Sequence, residues 1–275
     1  MSEPLFQVKD LRLSLPDMSR KKLFGPAPRI DILKGLTFNL PKGEIVGIVG
    51  ESGSGKSTLG RVLVRLLSAS SGQVLFRGQD IGRLPEEQIK PLRRDLQMIF
   101  QDPMSSLNPR HTIGHIVAAP IERYGFRDSK MLALEALERV GLPGAFAQRY
   151  PHELSGGQRQ RVGIARAIAL NPAFILADEI VSGLDVSSQA QVLALLQDLA
   201  ADMNLTIAFI SHDLSVIRTV CSQVIVLNHG EIVDAGPCEQ VFNAPQSEIT
   251  RTLIDAIPLP ELDDHWLEQV ALDEA

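Results

Sequence analysis

A chain of 275 residues, 44% of them apolar and 22% charged, has the composition of an ordinary globular protein, with length for one large domain or a domain plus a subdomain. Its net charge of −6 gives no electrostatic argument for a nucleic-acid partner; the two cysteines, Cys221 and Cys238, make neither a disulfide framework nor a metal spacing, and a disulfide between them is possible but unmotivated. No apolar run reaches the ~18 residues of a membrane helix, and the acidic stretch Met1 to Asp10 does not read as a signal peptide, so work at a membrane would require another chain there.

Residues 5–13 and 32–40 read as strands. Between them Asp17–Arg29, with Gly25, Pro26 and Pro28, reads as a loop. Its basic triplet Arg20-Lys21-Lys22 reads as a solvated tip, with lipid head groups or a partner as the alternative. Glu44–Val49 then reads as a buried strand. It runs into Gly50-Glu51-Ser52-Gly53-Ser54-Gly55-Lys56-Ser57-Thr58, which fits the phosphate-binding pattern G-x-x-x-x-G-K-[ST]. Glycines let such a loop turn its N–H groups onto an anion. Lys56 supplies a charge for the outer phosphates and the Ser57 hydroxyl a ligand for Mg²⁺. Thr58–Leu67 reads as a helix with Leu59, Val62, Leu63 and Leu66 inward, its positive N-terminal end beneath the phosphate.

Gln73–Arg77 reads as a strand, Pro85–Arg94 as a short polar helix, and Leu96–Phe100 as a strand ending in Gln101-Asp102-Pro103. His111–Arg123 and Ser129–Val140 carry apolar residues at helical spacing; Asp128-Ser129 can cap the second and Gly141 follows its end. Leu154-Ser155-Gly156-Gly157-Gln158-Arg159-Gln160-Arg161 opens the helix Val162–Leu170, and a Ser-Gly-Gly turn at a helix start is a second anion site. Ala173–Ala177 is an apolar strand followed by Asp178 and Glu179. In a P-loop protein the first of these carboxylates holds Mg²⁺ and the second orients and deprotonates water; the competing reading is a helix cap. Val186–Met203 reads as an amphipathic helix and Leu205–Ile210 as a buried strand. Val224–Leu227 and Glu231–Asp234 flank Asn228-His229-Gly230, a hairpin signal. The tail from Pro258 is acidic, with a short helix expected at Trp266–Val270. Strands alternate with helices before about residue 85 and after about residue 165. That order predicts an α/β fold with a mostly parallel sheet, an antiparallel flank and a helical insert.

Taken together, the Gly50–Thr58 loop, Gln101, Leu154–Gln158, Asp178-Glu179, Ser182-Gly183-Leu184-Asp185 and Ile210-Ser211-His212-Asp213 resemble, in order and spacing, the motifs of the ATP-binding cassette (ABC) ATPases. The resemblance implies a RecA-like P-loop core. Residues 1–86 and 166–257 would form the core, 87–165 the inserted helical subdomain, and 258–275 a tail. It implies Glu179 as general base, Gln101 as the glutamine that touches Mg²⁺ or water, and His212 as a γ-phosphate contact. Asp178, Ser57 and Gln101 would be the Mg²⁺ set, and Asp185 an aspartate crossing a dimer interface. Ser155, Gly156, Gly157 and Gln158 would close on ATP held by the loop of another subunit. His111, His115, His152 and His229 have no such context and read as surface residues.

About a hundred residues separate the loop from the Ser-Gly-Gly turn without sustained heptads, which disfavours the chromosome-organising branch. Translation factors of the family carry two cassettes, and this chain has one. Val49–Arg61, Ile99–Arg110, Leu184–Leu193 and Val241–Pro245 are similar to the oligopeptide, dipeptide and nickel importers, and to the second ATPase of their pair. That implies ATP-driven import of peptides or a related solute from the cytoplasmic face of the membrane. Its partners would be two permease subunits, a second ATPase and, indirectly, an extracytoplasmic binding protein. An exporter ATPase or a non-transport ATPase is the alternative. Three departures stand out. Leu15 occupies the place of an adenine-stacking aromatic, for which Phe24 or plain apolar contact would substitute, with weaker or less base-selective binding expected. Ile180-Val181 replace a common Pro-Thr or Pro-Val. The segment after Pro245 lacks His-Pro-Tyr and a cysteine cluster, so an iron–sulfur cluster is not expected.

Overall fold

The computed structural model describes residues 4–17, 20, 25 and 27–256. Lys21, Lys22, Phe24 and the tail from Pro258 lie outside the described residues. Two sheets organise the rest. β1 (Phe6–Pro16), β2 (Arg29–Leu40), β4 (Ser71–Phe76) and β5 (Gln79–Asp80) pair antiparallel in the order β2-β1-β4-β5. β3 (Ile45–Val49), β6 (Leu96–Ile99), β7 (Phe174–Asp178), β8 (Thr206–Ile210), β9 (Gln223–Asn228) and β10 (Glu231–Pro237) form the second sheet, ordered β10-β9-β3-β8-β7-β6. It is parallel from β9 to β6, with β10 antiparallel at its edge. The expected antiparallel flank and mostly parallel sheet are both present.

The parallel strands are apolar throughout because both faces are covered. Side chains alternate between two cores. In β7, Phe174 and Leu176 enter the core between the sheets, and Ile175 and Ala177 enter the core on the far side. β8 divides the same way, with Ala208 and Ile210 against Ile207 and Phe209. Phe6 joins the sheets, its ring 5.0 Å from that of Phe76 and 4.8 Å from that of Phe174. Helix α1 (Lys56–Leu63) packs Leu59, Val62 and Leu63 into the same space. A Cβ on Gly60 would lie 2.6 Å from Cδ1 of Leu176, so close approach of α1 to β7 explains that glycine.

Between β5 and β7 the chain forms α2 (Glu86–Ile89), α3 (Pro103–Ser106), α4 (Ile113–Arg123), α5 (Ser129–Arg139) and α6 (Gly156–Ile168), interrupted by β6. α4, α5 and α6 pack on one another. α7 (Val186–Met203), α8 (Leu214–Val220), α9 (Cys238–Asn243) and α10 (Glu248–Asp255) follow. Two local expectations fail. Leu66 is 52% exposed, because α1 stops at Leu63 and Arg65 takes a left-handed φ of 56°, turning the chain away before Leu66. Asp128 does not cap α5; at φ 61° its carboxylate makes no cap hydrogen bond, and Ser129 Oγ instead donates to Glu122 Oε1 at 3.1 Å. Both cysteines are free and buried.

One consequence of the parallel sheet sets the position of the chemistry. β3, β6, β7 and β8 point the same way, so the segments leaving their C-terminal ends share one rim of the sheet. Those segments begin with Gly50, Phe100, Glu179 and Ser211.

Candidate active site

The loop after β3 cannot be built without its first glycine. At φ 142°, Gly50 sits where a Cβ would lie 2.0 Å from the carbonyl oxygen of Leu227. Lys56 Nζ donates to the carbonyls of Gly50 at 2.7 Å and Glu51 at 2.8 Å. Burial lowers the pKa of this ammonium, while Glu179 and Asp178 pull it back up. The lysine is therefore a desolvated cation held by its own loop, a state that an incoming anion relieves. Gly55 at the N-cap offers no side-chain hydrogen bond, so the first-turn N–H groups of α1 keep their capacity for a ligand. Ser52, Gly53, Gly55, Lys56, Ser57 and Thr58 line a cleft of about 520 Å³, with Glu179 and His212 on its other wall. Gly50, Glu51 and Ser54 do not line it. Ser54 is buried, its carbonyl accepting from the Gly230 N–H at 3.0 Å.

Asp178 ends β7 almost fully buried and accepts from Ser57 Oγ at 3.0 Å. Burial raises its pKa, against the Ser57 hydrogen bond, which lowers it. A buried carboxylate paired with a hydroxyl is a hard-oxygen donor set, and it fits a divalent cation. Glu179 follows in the left-handed region at φ 51°. Its N–H donates to Ile210 O at 3.0 Å, and its carbonyl accepts from Ser182 N at 3.2 Å and Ser182 Oγ at 2.8 Å. These bonds hold a backbone conformation that costs on the order of 1–3 kcal/mol and aim the carboxylate at the cleft. Gln101 Nε2 donates to Glu179 Oε2 at 2.8 Å, and His212 Nδ1 stands 3.8 Å from Glu179 Oε1. His212 is exposed at the end of β8. Ile180 and Val181, the departures after Glu179, are both buried and tie the turn into the core.

The Ser155 segment lies elsewhere. Ser155 Oγ accepts from Gln158 N at 3.3 Å and Gln158 Oε1 accepts from Ser155 N at 3.0 Å, a reciprocal cap on α6. Neither residue, nor Gly156 or Gly157, lines the cleft around Lys56. Asp185 caps α7, accepting from Ser188 N at 2.9 Å and Ser187 Oγ at 2.6 Å, and these bonds hold its carboxyl well below the usual aspartate range. The two caps are neighbours: a Cβ on Gly157 would lie 3.2 Å from Ser188 Oγ. The structure therefore gathers Lys56, Ser57, Asp178, Glu179, Gln101 and His212, and leaves Ser155–Gln158 and Asp185 in a second group.

Gly230 was visible in the sequence only as a hairpin turn. In the structure its N–H donates to Ser54 O, its carbonyl accepts from Lys34 N at 2.9 Å, and a Cβ would lie 2.1 Å from Ile32 O. It brackets the phosphate loop to the antiparallel sheet. Ile32 lines the cleft beside that bracket, and no motif marked it. Leu15 is half-buried, pairs with Ile30 across β1 and β2, and packs on the inter-sheet core.

A family profile described as ABC transporter matches residues 33–182. The chain is 45% identical over 276 aligned positions to the glutathione import ATP-binding protein GsiA of Salmonella typhimurium, covering 99% of this chain and 44% of that protein. The chain thus spans less than half the length of that relative. It is 45% identical to the oligopeptide transport ATP-binding protein AppF of Bacillus subtilis, covering 94% of this chain and 79% of the relative. Among solved structures, the post-hydrolysis dimer of the ATP-binding cassette MJ0796 with ADP and Pi superposes with a TM-score of 0.73 at 31% identity, over 85% of this chain and 98% of that one.

Proposed function

The chain belongs to the ABC transporter family, and from that premise we propose that it is the ATP-hydrolysing subunit of an importer for peptides or a related small solute. One observation carries the reading. The groups that would hold and cleave a triphosphate meet at one cleft, and the helix start that would complete the site does not line it. Each chain then holds two half-sites, and a head-to-tail pair of ATPase chains makes them whole. Residues 87–165 act as the helical subdomain that meets the permeases, between the core segments 1–86 and 166–257.

In this reading Lys56 and the N–H groups at the start of α1 bind the β- and γ-phosphates, and Ser155 with the α6 N-terminus of a second chain binds them from the other side. Ser57 and Asp178, with Gln101 nearby, would hold Mg²⁺, which neutralises phosphate charge when bound. Glu179 orients water and takes its proton, and His212 donates to the γ-phosphate. The Gln101 hydrogen bond occupies one Glu179 oxygen and leaves the other 3.8 Å from His212 Nδ1. The relatives' names favour peptide or glutathione as cargo, which the permeases and binding protein would select. The assembly would sit on the cytoplasmic face of the membrane; among the described residues no helix is long and apolar enough to cross one.

Affinity purification of the tagged chain from detergent-solubilised membranes tests this. Two permeases and an ATPase partner are expected in the eluate. A soluble partner alone, with ATPase activity undiminished, would overturn the transport reading.

A further inference from the structure

A hollow of about 340 Å³ opens within the helical segment, between α4, α5 and the short turn Gly144–Gln148. It shares no lining residue with the nucleotide cleft. Its volume suits a small ligand, whose pockets run from about 300 to 1,000 Å³. Small residues keep it open. Gly114, Ala118 and Ala147 contribute at most a methyl side chain each, and a Cβ on Gly114 would lie 3.0 Å from that of Ala147. Leu134 of α5, 37% exposed, adds an apolar wall.

The charges lining this hollow are balanced but unpaired. Glu122 comes from α4 and Lys130 from α5, and among the described residues no ion pair joins them or holds either one elsewhere. Glu122 Oε1 accepts from Ser129 Oγ at 3.1 Å, and Oε2 accepts from no described donor. The Lys130 ammonium and the Gln148 side-chain amide have no hydrogen-bond partner among the described residues. A ligand of one sign would be attracted by one of the two charges and repelled by the other. A ligand carrying both signs satisfies both, each through a charge-assisted hydrogen bond.

We propose that this hollow binds a zwitterion with an aliphatic side chain, an amino acid or a short peptide. Glu122 takes its ammonium, Lys130 its carboxylate, and Ala118 with Leu134 its side chain. Gln148 is placed to pair with a peptide group. Such a ligand bridges α4, α5 and the turn, and so stiffens the helical segment. The site stands on this geometry alone; only its link to the transported solute rests on the importer reading above.

Calorimetric titration of the full chain with leucine, Leu-Leu and Leu-Leu-Leu tests the site. Saturable one-to-one binding is expected for at least one of them, and the tightest assigns the source as amino acid or peptide. Acetylating its ammonium or amidating its carboxylate should weaken binding about tenfold. Glu122→Gln should cost the parent compound a similar factor and leave the affinity of the acetylated one unchanged; Lys130→Gln should do the same for the amidated one. That pairing of protein and ligand changes would not arise from general damage to the helical segment, and unchanged ATP binding by both variants checks their folding. Hydrogen exchange in α4 and α5 should slow when the ligand is bound. No saturable binding at millimolar concentration would overturn the site. Equal binding of the parent and blocked compounds would overturn it, and so would parent binding unchanged in both variants. Failure to recover permeases with the tagged chain, while these titrations succeed, would overturn the importer reading and leave the site standing.

Discussion

At the scale of single residues, the site depends on backbone that few side chains tolerate. Glu179 is held left-handed by three hydrogen bonds, so its carboxylate is positioned before any ligand arrives. Glu179→Gln keeps the shape and removes the carboxylate proposed as the base. Turnover in the presence of the partner ATPase should fall about 10²–10⁴-fold while ATP binding persists; near-normal ATPase in that variant would refute the assignment. Leu15 offers the opposite case, a position where activity can be gained. It packs inward beside Ile30 and presents no aromatic face. Leu15→Tyr should tighten ATP binding by about 1–3 kcal/mol, by analogy with base stacking in single-strand binders, and should sharpen preference for ATP over CTP in competition assays. Unchanged affinity and selectivity would show that the base does not reach β1.

At the scale of elements, most of the candidate site was legible because its pieces are continuous in sequence. The Gly50–Thr58 loop, the Asp178-Glu179 strand end and the Ser155 turn each hold their candidate residues within a short stretch of chain. α7 was read with the bounds it has, since its apolar spacing runs unbroken from Val186 to Met203. What escaped depends on contacts between distant segments. Gly230 looked like any hairpin glycine, yet its bonds to Ser54 and Lys34 tie together segments far apart in the chain. Leu66 continued the helical spacing of α1, but Arg65 had already ended the helix. Helices α8 to α10 are short, and their capping residues Asp213 and Ser247 sit among other polar residues that carry no periodic signal. The cap on α7 carries a pH prediction. Asp185 is held below its ordinary range, so its stabilisation is complete above that range and fades only as pH falls through its own lower value. The gap in melting temperature between wild type and Asp185→Ala should therefore stay constant from neutral pH to about 5 and narrow only in stronger acid. A gap that closes between neutral pH and about 5 would mean the cap does not form in solution.

At the scale of the whole molecule, the parallel sheet does the gathering. Four segments meet at one rim because four strands run the same way, and the helical segment carries Ser155 off that rim. That separation has a genetic consequence. In the proposed head-to-tail pair, a chain with an intact cleft and a spoiled Ser155 turn would still occupy a place in the assembly and would disable the neighbour's cleft instead of its own. Expressed beside a normal copy, Ser155→Arg should behave as a dominant-negative allele, reducing solute uptake to a degree that rises with its expression. A recessive Ser155→Arg, with uptake untouched at high expression and the variant confirmed in purified complexes, would mean that each chain completes its own site.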